Sequence, residues 1–414
     1  MSADTPSSEM RDLFSARAAR GAARAILDSA ISGDVAGLSV HPEAMARAAE
    51  LAADSMTNAY PDLQIPPCGC WRDFDIGDVP RWDVLAQARG FSSPEDLLQV
   101  AGDLALLGAI AAVRPPRGWH FEDGQSGMDF GGVTGLRLAA FSMFQSGMFS
   151  TRPADPLRVD ADALIRLEDN EIAAGFGVAE QQDGSWIAEM TRHLRRFGET
   201  VGMRPDLFER GGDLRPSGVV LNHLFDPGGA PVPLETVFET LVDAFAPLWP
   251  GGAQKGDVIL GDVWARRAPQ SQALPDAVPF HSAPADMAYG LIEPFAWAGR
   301  DVADLDALPG PSDAHHAMLF VSAGVVELTG AVGVQPDIDT MIALRAVTSA
   351  LSRDVADTVR VKLGVDAATM PLPCIIEAGT ARAGRDLARQ NPEPAQNISK
   401  ILLAGSVFWL PFGA

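Results

Sequence analysis

Apolar residues recur at helical intervals along most of the chain. Leu13, Phe14, Ala18, Ala22, Ile26 and Ala30 fall three or four apart within the Ala- and Arg-rich stretch Arg11–Ile31, which reads as an amphipathic helix. His41–Leu51 starts another, with Pro42 where a first turn tolerates it. Ser92-Ser-Pro-Glu95 is a helix start, with a serine cap and a first-turn glutamate. Further helices are predicted near 160–176, 184–199, 234–247, 284–298, 313–329, 336–363 and 374–390. Clusters at Arg114–Gly118, Asp226–Pro231, Trp249–Gly252 and Leu308–Pro311 punctuate them. Trp119–Glu122 and Val258–Trp264 read as short strands. The most apolar run, Leu104–Val113, is about half a membrane span and so predicts a buried helix. Leu136–Phe149 reads likewise as core. The pattern predicts a mainly α, compact multi-helix fold with a few short strands. Residues 1–40 read as a helical extension and 41–414 as one domain, with no internal repeat or long linker.

Charge narrows the partners. With 32 basic against 54 acidic residues the net charge is −22, and such a surface repels a phosphate backbone. A small nucleoside-like molecule can still enter a locally neutral pocket. Cys68, Cys70 and Cys374 are too few for a disulfide framework, and Cys68-Gly-Cys70 lacks the second pair of a zinc ribbon. Met1-Ser-Ala-Asp-Thr-Pro6 shows no basic region followed by an apolar run, so the expected location is the cytoplasm, away from membranes. The composition is compatible with a homodimer.

Candidate chemistry gathers on histidines and isolated carboxylates. Val278-Pro-Phe-His281 delivers an imidazole to the start of an apolar helix, where it could ligate a metal, move protons or merely cap. In Ser312-Asp-Ala-His-His-Ala-Met318, Asp313 and His316 lie three apart and share a helix face. His315 is turned by about 100°. A plain reading makes this a polar first turn with both imidazoles solvated. If Trp119–Asp123 is extended, His120 and Glu122 project to one side, as they would on any exposed strand. Glu377 stands among Leu372, Cys374, Ile375 and Ile376, and a buried carboxylate needs a partner, either a metal or an arginine such as Arg345 or Arg385.

Ile65-Pro-Pro-Cys-Gly-Cys-Trp-Arg-Asp-Phe74, Val278–His281, Leu319-Phe-Val-Ser-Ala-Gly-Val325 and Ile376-Glu-Ala-Gly-Thr-Ala-Arg-Ala-Gly-Arg-Asp386 resemble the uracil catabolism protein 4 (Urg3-like) family. The resemblance runs from about residue 40 to the C-terminus. It implies a place in the pathway that opens the uracil ring and breaks down the resulting ribosylurea. The pocket positions depart from the family. Ser282 and Ala285 replace a Lys and a Gln, Ala314-His315-His316 replace Tyr-Arg-Asn, and Gly132 and Thr134 replace an Arg and a Glu. Ala343-Leu344 replace Glu-Trp before Arg345, Ala381 replaces a Trp, and Leu403-Ala-Gly-Ser406 replaces Ser-Asp-Gly-Thr.

Losses alone suggest a non-catalytic paralogue, whereas the gained imidazoles suggest altered chemistry. Two histidines and a carboxylate are the ligand set of non-haem iron enzymes that activate dioxygen, and zinc accepts the same donors. The leading expectation is therefore an Fe(II)-dependent oxygenase with dioxygen as co-substrate, remodelling the heterocycle of a nucleoside-like substrate. A divergent branch of the family looks like the iron enzyme of oxazinomycin biosynthesis, and the chain's composition and histidine pattern are compatible with that branch, which would imply this chemistry. Two or three of His281, His315, His316 and His120 would hold the metal with Glu377 or Glu122, while Asp313, Asp123 and Arg345 orient or catalyse. The alternative is a metal-independent N-glycosidic hydrolase acting on ribosylurea or a pyrimidine nucleoside through Asp313.

Overall fold

The Ala- and Arg-rich stretch folds as the helix Ala16–Ile31, its first turn closed by Ser15, whose Oγ accepts from Ala18 N at 3.1 Å. Ala16, Ala19, Ala23, Ile26 and Leu27 are buried on one face, and the helix packs on Ile338–Leu363. Asp337 caps that long helix through Thr340 N at 2.7 Å, and Gly364, at φ 69°, ends it. This computed structural model describes residues 11–255, 258–267, 274–329, 337–405 and 407–409. Residue 336, with which the predicted long helix began, and Ser406 lie outside them.

The fold is mainly α, and the described strands pair two by two in short sheets. The chain divides into two compact units. One comprises Met1–Cys68, Trp249–Ala285 and Asp304–Gly413, the other Gly69–Leu248 and Asp286–Ala303. No helix among the described residues is long and apolar enough to cross a membrane.

Several predicted elements end earlier than their hydrophobic pattern. The helix expected over 313–329 stops at Ser322, because Gly324 adopts φ 77° and turns the chain into the strand Val326–Leu328. That strand pairs antiparallel with Leu38–Val40. The stretch 160–176 splits into Ala161–Arg166 and Asp169–Phe176, the second restarted by a capping box between Glu168 and Glu171. The single strand expected over 258–264 is two, Val258–Ile259 and Val263–Ala265, with Gly261 at φ 72° between them. Trp71–Phe74, Arg81–Arg89, Gly218–His223 and Pro392–Leu402 are helices that the pattern did not predict.

In the second unit the helix Pro94–Ala111 is buried on almost every side, as its apolar run requires. It carries Asp103, which has no exposure. That carboxylate accepts from Val159 N at 2.9 Å, Ser217 N at 3.0 Å and Arg215 Nε at 2.8 Å, tying three segments to one helix.

Candidate functional site

Asp313 precedes the helix Ala314–Ser322 and caps it. Its Oδ1 accepts from His315 N at 2.9 Å and His316 N at 3.2 Å. The same carboxylate reaches back to the side chain three residues on, with Oδ2 2.8 Å from His316 Nδ1. Burial opposes its charge most strongly. The two imidazoles and the backbone N–H groups more than offset this and hold the Asp313 carboxyl well below the usual carboxylate range. An ionised carboxylate only accepts, so Nδ1 is the donor in this contact. His316 is 2% exposed, and its Nε2 is buried with no hydrogen-bond partner among the described residues. The result is an imidazole fixed in orientation by its Nδ1 contact, with its second ring nitrogen uncommitted among the described residues.

His315 is buried as well, so the solvated-imidazole reading of this turn does not hold. Burial pushes its pKa down to about 4, against the pull of Asp313 and together with Arg385, His316 and Arg389. The ring is neutral at pH 7. In the second unit His193 is depressed to about 4 by burial, with Arg196 acting in the same direction. Both imidazoles bind protons more weakly folded than unfolded, so their contribution to stability is full above pH 6.5 and is lost as pH falls towards 4. Thermal unfolding should therefore shift down by at least about 5 °C between about pH 7 and pH 4.5. A flat profile over that window would contradict the two neutral, buried rings.

The His315 backbone is pressed against the helix Arg382–Gln390. A Cβ at Gly384 would overlap the His315 carbonyl oxygen, so only glycine permits the approach. Gly384→Ala should destabilise the protein by about 2 kcal/mol. It should also impair any activity that depends on His316, since the first turn of Ala314–Ser322 must move. Urea unfolding and turnover measured on one preparation would check both.

Behind this turn lies a buried ion pair. Arg345 grips Asp262 with both Nη atoms at 2.8 Å, and each side chain is about 1% exposed. Arg345 also donates to Ser282 Oγ at 3.0 Å and Ser312 Oγ at 3.3 Å, and its guanidinium lies 4.0 Å from the Phe280 ring centre. Ser282 and Ser312 are 3.2 Å apart, joining the chain next to His281 with the chain next to Asp313. Arg345 thus partners Asp262 rather than Glu377, and acts as a brace beneath the turn. Asp262 was not foreseen, although a lone aspartate inside Val258-Ile-Leu-Gly-Asp-Val-Trp264 is the same signal that singled out Glu377.

Of the other predicted residues, His281 and Glu377 belong to the first unit with the Asp313 turn, and His120, Glu122 and Asp123 to the second. His281 is buried at φ 48°, a strained backbone position for a non-glycine residue. Its Nε2 lies 2.9 Å from the Leu13 carbonyl, so that nitrogen is the donor. Phe14 meets the ring edge-on. Glu377 is half-buried in the π-helical segment Ile376–Ala381, a geometry often found at functional sites. In the second unit His120 and Glu122 are exposed on the hairpin His120–Asp123/Met128–Gly131. Asp123 is buried there and engaged by Arg81 and by Ser126, whose Oγ is at 2.6 Å. Among the described residues, no three His, Cys, Asp or Glu side chains gather as a metal-holding set.

The family description "Protein of unknown function (DUF1688)" matches residues 12–408, nearly the whole chain. The chain belongs to the DUF1688 family. It is 28% identical to Protein urg3 of Schizosaccharomyces pombe, over 83% of this chain and 84% of that one. It is 26% identical to uracil catabolism protein 4 of Lachancea kluyveri, over 78% and 80%.

Within this DUF1688 chain, the stretch Cys70–Asp73 is committed to structure in the second unit. Trp71 Nε1 donates to the Gly290 carbonyl at 2.7 Å, and Arg72 pairs with Glu293 at 2.7 Å. Asp73 is held by Arg137 at 2.7 Å and by Thr134 Oγ1 at 2.6 Å. Cys70 packs beside Gly108, and burial pushes its thiol far above the usual range, leaving it unreactive.

Proposed function

We propose that this protein is an enzyme of pyrimidine breakdown in which the Asp313–His316 pair activates water to cleave the N-glycosidic bond of a ribosylurea-type substrate. The observation that carries the reading is the uncommitted, buried Nε2 of His316 behind a carboxylate-bound Nδ1. In this step Nε2 takes a proton from water, the water oxygen bonds to the ribosyl C1′, and the C1′–N bond breaks. The proton taken by Nε2 is then passed to the leaving nitrogen, which restores the neutral ring, and ribose and urea result. Asp313 keeps Nδ1 protonated and offsets the charge that develops on the ring, the role a carboxylate has behind a catalytic histidine. The name of the Lachancea kluyveri relative, uracil catabolism protein 4, supports the substrate class.

A second reading keeps the Fe(II)-dependent oxygenase acting on a nucleoside-like heterocycle, with dioxygen as co-substrate. What favours it is the same nitrogen, because an imidazole fixed by a carboxylate is also how metal-bound histidines are oriented. The described donors do not fit a complete set, however. His316 offers one nitrogen, His281 Nε2 is turned to a carbonyl, and three donors do not converge. Protein purified without a His-tag separates the readings. Urea release from ribosylurea that survives exhaustive chelation, in protein with sub-stoichiometric metal, supports hydrolysis. Stoichiometric iron with oxygen consumption and no urea release overturns it.

A further inference from the structure

We propose that a cleft between the helices Ala16–Ile31 and Ile338–Leu363 is a binding site for the phosphate group of a small phosphomonoester. The cleft holds about 380 Å³ and is lined by Arg17, Arg20, Arg24 and Arg353, with Gly21 and Ser349 among the other walls. Arg17, Arg20 and Arg24 fall three and four residues apart, so one face of one helix presents three guanidinium groups, and Arg353 adds a fourth from the facing helix. Gly21 sits mid-helix, where a Cβ would meet nothing within 4 Å, and this keeps the floor open.

The charge is the unexpected part. The chain carries 54 acidic and 32 basic residues, yet no carboxylate lines this cleft among the described residues. Asp354, outside the lining, pairs with Arg24 at 2.9 Å. Two arginines are held in place by backbone. Arg353 donates to the Asp306 and Leu308 carbonyls at 2.6 Å each, and Arg20 donates to the Ala307 carbonyl. Guanidinium groups braced in advance lose little freedom on binding, and their planar forks match the oxygens of a phosphate. A nucleic acid or anionic membrane is disfavoured by the net charge of −22, and the volume suits a small metabolite. This site does not rest on the hydrolytic reading, since none of its residues belongs to the Asp313–His316 turn.

Isothermal titration with ribose 5-phosphate, inorganic phosphate and ribose tests the assignment. The ester should bind at one saturable site and ribose should not. Inorganic phosphate binding as tightly as the ester would support the site and place all recognition on the phosphate. Arg17→Gln removes an exposed guanidinium and should weaken binding about tenfold with an unchanged melting temperature. In His316→Gln the ester should bind as in wild type, which separates this cleft from the proposed catalytic turn. Three outcomes overturn the proposal: no saturable binding at about 10 mM ester, equal binding of ribose, or undiminished affinity in Arg17→Gln. Loss of ester binding in His316→Gln would also overturn it.

Discussion

His316→Gln should lower turnover by about 10²- to 10⁴-fold while far-UV circular dichroism and melting temperature stay near those of wild type. Glutamine approximates the reach of the imidazole and can still donate an N–H towards Asp313. Its amide cannot accept a proton at neutral pH, so what is lost is basicity at the position of Nε2. Asp313→Asn should fall in the same range by a different route. Its amide can present an N–H to Nδ1, which releases the tautomer that keeps the lone pair on Nε2. Asparagine caps a helix about as well as aspartate, so stability should change little in either variant. Full turnover in His316→Gln, measured as urea released from ribosylurea, would remove the dyad from the mechanism.

Asp262→Ala should be among the most damaging single changes to stability, costing about 3–5 kcal/mol in urea unfolding. The reason is what it leaves behind rather than what it removes. Arg345 is 1% exposed, and without Asp262 its charge is buried with only serine hydroxyls and an aromatic face for company. The double replacement Asp262→Leu with Arg345→Met should recover much of the loss, because a buried ion pair exchanged for apolar groups is often close to neutral. The double variant should nevertheless be poorly active. It lacks the guanidinium that braces Ser282 and Ser312, and Ser312 adjoins Asp313. If Asp262→Ala unfolds at the wild-type urea midpoint, the pair is not the brace described.

The sequence carries local relations well and distant ones poorly. Asp313 and His316 lie three residues apart, so helical geometry alone brings them to one face, and the structure pairs them at 2.8 Å. The helices Ala16–Ile31, Leu234–Phe245 and Ile338–Leu363 follow their apolar spacing for the same reason. Asp262 and Arg345 are 83 positions apart, and His281 meets Leu13 across 268. No periodicity connects such residues, so the pairing of Arg345 with Asp262 was not legible in the sequence. The π-helical turn at Ile376–Ala381 was also invisible, since one extra residue in a helical turn leaves the apolar pattern almost unchanged. Glycines were the missed clue. Gly324 ends a helix that hydrophobicity would have continued, and Gly384 admits the His315 backbone.

The division of the chain into units assembled from separated stretches has a consequence in time. Ala16–Ile31 buries its apolar face on Ile338–Leu363, a partner encoded more than 300 residues later. At synthesis rates of about 5–20 residues per second, that face waits tens of seconds for its cover. Contacts of such long sequence separation also slow folding once the chain is complete. The interval between emergence and closure is thus when this protein is most exposed to misassembly. Apolar-to-polar changes on Ala19, Ala23 or Ile26 would then have opposing effects, protecting the nascent chain and weakening the finished one.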